Sequence, residues 1–416
     1  MLRVPMNHAR PGMVLAMPVL HPERPGTALL KSGVALGDGV IDRLREIGCD
    51  DLWIHYPGLE EIGRYVSPAV CAAQGRLAGD IAGAFGSVLE NADARLDYKP
   101  FDDAVGSLLA ALLESPRSNL YLGEMATIDL PGLQHAGGVC MLSVLMGLKL
   151  DAYLSDQRGR LTAEQARDVT PLGVGAIFHD VGALLLPEDV RERFARTHND
   201  EDPAWQEHVE LGYRKVQGGI DPSASAVVLH HHQRFDGSGY PARRSATGSA
   251  ECVEGEAIHV FARIAAVADF YRRLIERPGV PPVRALNLMQ REPVTNWFDP
   301  IVVKALFNVV PPYSPGTLVT LSDRRRGVVV AWSPRNPCRP TVEVLPTPTL
   351  GPVDPYAERE RVDLRDEPGL AVAFAGGEHV EPYNFEPPKP DAYDLTAVWR
   401  AMVNRADELQ AQHGVA

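Results

Sequence analysis

Cysteine is scarce. The 416 residues hold five, Cys49, Cys71, Cys140, Cys252 and Cys338, an odd number, widely spread and without a CxxC pair. That distribution speaks against a disulfide framework or a zinc knuckle and fits a reducing cytoplasm. Long hydrophobic runs are missing too. No stretch of about 18 apolar residues occurs and the start has no apolar signal segment, so neither membrane insertion nor export is expected. Positive charge is in deficit, with a net charge of -13. This argues against a surface that coats a nucleic-acid polymer, yet a small anionic ligand stays open, because metal ions and a few arginines reverse the sign locally. The apolar and charged fractions, 45% and 23%, are those of an ordinary globular protein long enough for several domains.

Histidine, by contrast, is concentrated in one place. His230-His231-His232 runs through Gln233 to Asp236-Gly237-Ser238-Gly239-Tyr240-Pro241. Imidazoles cluster for metal or proton chemistry rather than for packing. Asp221-Pro222 reads as an N-cap followed by proline at the first helical position, which starts a short helix ending in these histidines. Its period puts Ala224, Val227 and His231 on one face, with His232 on the adjacent face. Gly237 and Gly239 then permit a sharp turn and are expected to bring main-chain N–H groups near an anionic ligand.

Along the chain, residues 1–60 alternate short apolar runs with glycine and proline breaks around one amphipathic helix near Val40–Gly48, a small mixed α/β module. Residues 61–120 carry helical periodicity and read as a packing connector. His135 opens the next helix. Thr162 with Gln165 forms a capping box, and Thr170-Pro171 repeats the cap-plus-proline signal. The helix from Thr170 spaces Val174, Ile177, Val181 and Leu184 on an apolar face with His179-Asp180 embedded in it. His208 precedes Gly212 by one turn, where close helix packing is possible. Ile258, Ala262, Ala265 and Asp269 put a carboxylate on an inward apolar face. Any one of these histidines alone reads as a hydrogen-bonded structural residue, but the repeated substitution of His or Asp for an apolar residue on five helices points to metal, since an unpaired buried charge costs several kcal/mol. His55, His198, His230, His259 and His379 fall outside the pattern, and Cys140 and Cys252 read as core filling.

From about Gln134 to Leu274 the sequence resembles the HD-GYP domain, a metal-dependent branch of the HD superfamily. The resemblance rests on His135, on His179-Asp180-Val181-Gly182, on His208 to Gly212, on His231-His232 before Asp236 to Pro241, and on Val267-Ala268-Asp269, in that order. It implies an α+β multidomain chain in which a central all-α HD-type domain, residues 121–310, is flanked by the N-terminal α/β module and a C-terminal β module at 311–350. Residues 351–416 are expected to form an irregular strap and a terminal amphipathic helix with Leu395, Val398, Met402 and Leu409 on one face. The charge run Arg324 to Arg326 reads as an exposed hairpin turn.

The resemblance also implies chemistry. It assigns His135, His179 and Asp269 to one divalent transition-metal ion, His208, His231 and His232 to a second, and Asp180 to both, with iron, manganese, nickel or zinc all suited to such ligands. Two such ions acidify a water and neutralise a phosphodiester attacked in line. The implied substrate is cyclic di-GMP, opened to linear pGpG and then to GMP, with Asp180 and Tyr240 catalytic and Gly237, Gly239, Tyr240 and Arg277 contacting substrate. A diguanylate cyclase (GGDEF) protein and a second copy of the chain are the implied partners. Departures from the family pattern stand at Ala183 in place of lysine, Gln233 in place of glutamate, Pro131 where a third-metal glutamate would stand, and Arg272-Arg273 after Asp269. About nine extra residues separate His232 from Asp269, suggesting an enlarged loop at Gly248 to Gly255. Ala183 predicts a slow enzyme that stops mainly at the linear dinucleotide and gains rate on Ala183→Lys, with Arg243, Arg244 or Arg277 as compensating cations. The alternative is a slow or inactive signalling module that binds metal or nucleotide and regulates a partner.

Overall fold

A computed structural model describes residues 1–21, 24–49, 51–122, 132–244, 250–345 and 359–396. The chain is α+β, with a helical centre between a small mixed N-terminal region and a C-terminal sheet. At the N-terminus Leu2–Pro5 pairs antiparallel with Asp51–Ile54. Leu2, Val4, Leu52 and Ile54 alternate onto one face and are buried there, as period-two patterning requires. Helix Asp38–Glu46 covers that face with Ile41 and Leu44, and Gly48 ends it at a φ of +73°.

Among the described residues the C-terminal sheet has six strands. Leu318–Leu321, Arg326–Ala331 and Thr341–Val344 form an antiparallel meander, flanked by Arg361–Asp363 on one side and by Val372–Ala375 and Glu378–His379 on the other. The segment expected as an irregular strap therefore supplies three strands. Its proline and glycine breaks leave strands of two to four residues, too short to show alternation. Most of the expected terminal helix, with Val398, Met402 and Leu409, lies outside the described residues. Val328, Val330 and Leu345 of the sheet share one core with Leu2, Val4 and Ile54, so the two ends of the chain bury each other's apolar faces. Arg324 does sit in the turn between two strands, and Arg325 there pairs with Asp323 at 2.7 Å.

The helical centre packs around α1, Leu133–Lys149, in which Val139, Leu142 and Leu145 are fully buried. Each such side chain contributes about 1.5–3 kcal/mol of transfer free energy. Helices Pro68–Glu90 and Lys99–Glu114 join the same core. Four more helices complete the frame of the site: α2, Thr170–Phe178; α3, His208–Val216; α4, Pro222–His230; and α5, Val260–Ile275.

Capping follows the sequence in most places. Thr162 and Gln165 make the reciprocal capping box, and Asp221 accepts from the Ser223 N–H at 2.7 Å. At α2 the cap is displaced. Val169 is the N-cap, and Asp168 accepts from the Thr170 N–H at 2.9 Å, so Thr170 lies inside the helix rather than capping it. This helix also stops earlier than its apolar spacing suggests. It ends at Phe178, and Val181–Leu185 continues as a 3-10 turn. Among the described residues no single helix is long and apolar enough to cross a membrane. None of the five cysteines forms a disulfide, and burial pushes the Cys140 thiol up to about 12, consistent with core filling.

Candidate metal centre

The helix ends converge. His135 stands on the first turn of α1, His179 and Asp180 follow the last turn of α2, His208 opens α3, His231 and His232 follow α4, and Asp269 lies inside α5. Their ligand atoms form two overlapping groups, His135, His179, Asp180 and Asp269, and Asp180, His208, His231 and His232, each within 4.8 Å. Asp180 belongs to both. His208 Nε2 and His231 Nε2 lie 3.2 and 3.3 Å from Asp180 Oδ1, and His135 Nε2 lies 2.9 Å from Asp269 Oδ1. Ligands about 2.1 Å from one ion and at right angles to each other stand roughly 3 Å apart, so these spacings fit a shared cation.

The far side of each ring fixes its orientation. His179 Nδ1 lies 2.8 Å from Ala176 O, His208 Nδ1 2.7 Å from Trp205 O and His231 Nδ1 3.0 Å from Val228 O. A carbonyl can only accept, so each Nδ1 carries a proton and each Nε2 is left facing inward. His135 Nδ1 faces the Glu276 carboxylate at 3.1 Å, the carboxylate–histidine arrangement that orients metal ligands. His179 Nε2 and Asp180 Oδ1 are buried without a hydrogen bond. Such orphaned groups are costly unless a cation takes them, so the residues present fit divalent metal.

Two glycines let the elements approach this closely. A Cβ on Gly182 would stand 2.0 Å from His208 O and 2.4 Å from Gly212 N, so the turn after Asp180 lies directly on the first turn of α3. A Cβ on Gly239 would stand 2.3 Å from His232 O. The loop turns in on itself: Gly237 N–H donates to Arg234 O at 2.9 Å and Tyr240 N–H to His232 O at 3.1 Å. The glycines thus serve close packing and a φ of +79° at Gly237, and the Gly237 N–H expected to face an anion is bonded within the loop. The Tyr240 ring stacks on His232 with centroids 4.5 Å apart, and its buried hydroxyl has no hydrogen bond. Arg277 is exposed and borders the same cavity, about 400 Å³, as His232, Tyr240 and Asp269.

Electrostatics in the cluster are strongly coupled. Burial opposes charge on His179, but the Asp180 and Asp269 carboxylates outweigh it and raise its pKa to about 10. Burial and the neighbouring His179 lower His231 to about 4. Against burial, His179 and Arg273 hold Asp180 well below the usual carboxylate range, and Arg273 and His135 do the same for Asp269.

Three participants escape sequence reasoning. Arg273 donates from Nε to Asp269 Oδ1 at 2.6 Å, from Nη2 to Asp180 Oδ2 at 3.1 Å and from Nη1 to Asp200 Oδ1 at 2.8 Å. Arg273, Asp200 and Glu276 were thus all missed. The available signal was helical spacing, since Arg273 and Glu276 follow Asp269 by one and two turns. The cation bonded to the carboxylates of the centre is Arg273. Ala183 packs against Leu186, Val190 and Trp205, and Gln233 donates to Pro241 O at 2.6 Å, bracing the loop. Pro131 and residues 245–249 of the expected enlarged loop lie outside the described residues.

With this geometry in place, comparison with known proteins is informative. The family model described as HD domain matches residues 151–302. A cyclic di-GMP phosphodiesterase of Pseudomonas aeruginosa is 29% identical over 309 residues, which cover 70% of this chain and 67% of that protein. The cyclic di-GMP phosphodiesterase response regulator RpfG of Xanthomonas campestris is 32% identical over 122 residues, 28% of this chain and 30% of the relative. A solved HD-GYP-type protein from Bdellovibrio bacteriovorus superposes with a TM-score of 0.42 at 16% identity, covering 73% of this chain and 97% of that one.

Proposed function

We propose that this chain, whose residues 151–302 match the HD domain model and which carries the HD-GYP order of motifs, hydrolyses cyclic di-GMP to linear pGpG with two divalent transition-metal ions. The observation that carries this reading is the inward convergence of five imidazoles and two carboxylates from the ends of four helices and the interior of a fifth, with three Nδ1 positions tied to carbonyls. His135, His179 and Asp269 would hold one ion, His208, His231 and His232 the other, and Asp180 both. Iron or manganese suits this set best, with nickel and zinc also compatible. When bound, the pair supplies an acidified water and charge neutralisation for in-line attack on the phosphodiester.

The chain's own residues do the rest. The carbonyl-anchored imidazoles keep their Nε2 atoms aimed inward without reorganisation, and Tyr240, with its hydroxyl in the cavity wall, donates to a phosphate or ribose oxygen. Arg277 at the exposed rim attracts the anionic substrate. A reducing cytoplasm suits five cysteines outside any disulfide.

Purified protein given Mn2+ or Fe2+ and cyclic di-GMP is expected to release linear dinucleotide, with GMP slower. Bound metal with no turnover would overturn the enzyme reading. It would favour the second one, a module that binds metal or nucleotide and regulates a diguanylate cyclase or a second copy of itself. Ala183 and the Arg273 contacts favour that alternative.

A further inference from the structure

Arg273 stands one helical turn beyond Asp269 on α5, with its side chain 11% exposed. Its guanidinium touches Asp269 Oδ1 at 2.6 Å and Asp180 Oδ2 at 3.1 Å, and lies 3.4 Å from His232 Nε2. All three residues belong to the set that would hold metal. A guanidinium cannot give up its proton under ordinary conditions and therefore cannot leave these carboxylates by becoming neutral. A divalent ion and Arg273 thus claim the same negative charge.

From this geometry we infer that Arg273 is an internal counter-cation that competes with divalent metal for Asp180 and Asp269 and so sets the metal affinity of the centre. The inference rests on the metal-centre reading above and is independent of whether the chain turns over cyclic di-GMP. Being tethered to α5, Arg273 is present at high effective concentration beside both carboxylates. Asp200 supplies its other anchor. Nη1 donates to Asp200 Oδ1 at 2.8 Å, and Phe194 lies 5.4 Å from the guanidinium carbon. Asp200 is in neither ligand group and borders the cavity beside His232 and Tyr240. A guanidinium pushed off Asp180 and Asp269 therefore has a carboxylate to keep, and a short rotation leaves it facing the cavity.

The test is Mn2+ titration of chelator-stripped full-length protein by calorimetry, comparing wild type with Arg273→Gln and Arg273→Lys, each with a melting curve in chelator and in excess Mn2+. A unit charge removed about 4 Å from a divalent ion changes affinity by roughly tenfold or more even at high dielectric. Arg273→Gln is thus expected to bind Mn2+ at least about tenfold more tightly than wild type, to melt lower in chelator and to show a larger upward shift with Mn2+. Arg273→Lys, which keeps the charge but loses the fork that spans both carboxylates, is expected to fall between. Equal or weaker Mn2+ binding by a folded Arg273→Gln would overturn the inference. Should that variant fail to fold, an Arg273→Lys affinity no tighter than wild type would overturn it. Failure of the phosphodiesterase reading looks different, since tight Mn2+ binding without release of linear dinucleotide leaves the competition intact.

Discussion

Replacing Gly182 by alanine puts a methyl group where the structure has none to spare. The Cβ would stand 2.0 Å from His208 O and 2.4 Å from Gly212 N. An ordinary carbon–oxygen contact is about 3.3 Å, so the main chains must part by roughly 1.3 Å. The atoms met are backbone, so no side-chain rotation relieves them. The element that moves is the first turn of α3, which carries His208 3.2 Å from Asp180 Oδ1. Overpacking of this kind costs about 3 kcal/mol, and ligands displaced by more than about 0.2 Å no longer suit a metal. Gly182→Ala is therefore expected to melt several degrees lower and to bind Mn2+ at least about tenfold more weakly. Gly137→Ala is the control. It lies two residues from His135 on α1, where an added Cβ meets nothing within 4 Å, and should gain roughly 0.5–1 kcal/mol from helix propensity. Melting curves in chelator followed by Mn2+ titration separate the two effects. If both variants behave alike, or if Gly182→Ala keeps wild-type stability and affinity, the close-approach argument is wrong.

Other expectations can be checked separately. Asp180→Ala should remove both ions and turnover together, because one carboxylate serves both ligand groups; elemental analysis that finds two ions retained would contradict the shared role. Arg263 and Asp299 form a buried pair at 2.6 Å that also holds the Tyr153 hydroxyl, so Arg263→Met, which strands the carboxylate, should cost about 3–5 kcal/mol in denaturant unfolding. His259 caps α5 by accepting from the Phe261 N–H at 3.2 Å, and burial with Arg158 and Arg263 nearby lowers its pKa to about 4. Its folded pKa lies below the ordinary 6.5, so its contribution is complete above pH 6.5 and is lost as pH falls through about 4. Wild type should accordingly lose up to roughly 3 kcal/mol relative to His259→Asn over that window, and parallel pH–stability curves for the two would refute this.

How much of this was legible in the sequence varies with the physical scale of the signal. His179, His208 and His231 could be placed inward because a helix period is local and an imidazole on an apolar face demands an explanation. The capping box at Thr162 and Gln165 was legible for the same reason. At α2 the local rule was right in kind and wrong in place: Asp168 and Thr170 are both good capping types two residues apart, and only the packed backbone selects between them. The three C-terminal strands were missed because Arg361–Asp363 and Glu378–His379 are too short to display alternation and gain their stability from partners elsewhere in the sheet. The core shared by Leu2 and Val328 joins residues more than three hundred apart, which no window of local periodicity can report.

Arg273 was visible only as part of a departure from the family pattern, and its contacts escaped notice for a different reason. An acid followed four residues later by arginine is the commonest surface pattern on a helix, where it contributes a few tenths of a kcal/mol and is screened by salt. The same spacing on α5 points inward, because Ile264, Ala265, Val267 and Ala268 are buried around it and Asp269 is itself 3% exposed. Burial turns an ordinary ion pair into a strong one, since water no longer competes for either charge. Arg273 then bonds carboxylates from three separate segments, at residues 180, 200 and 269. Helical periodicity can place the arginine on the inward face, but the convergence of Asp180 and Asp200 on that face depends on the turn at Gly182 and the loop after Thr197. The chemistry of the centre therefore depends as much on how these turns are packed as on the histidines that first identify it.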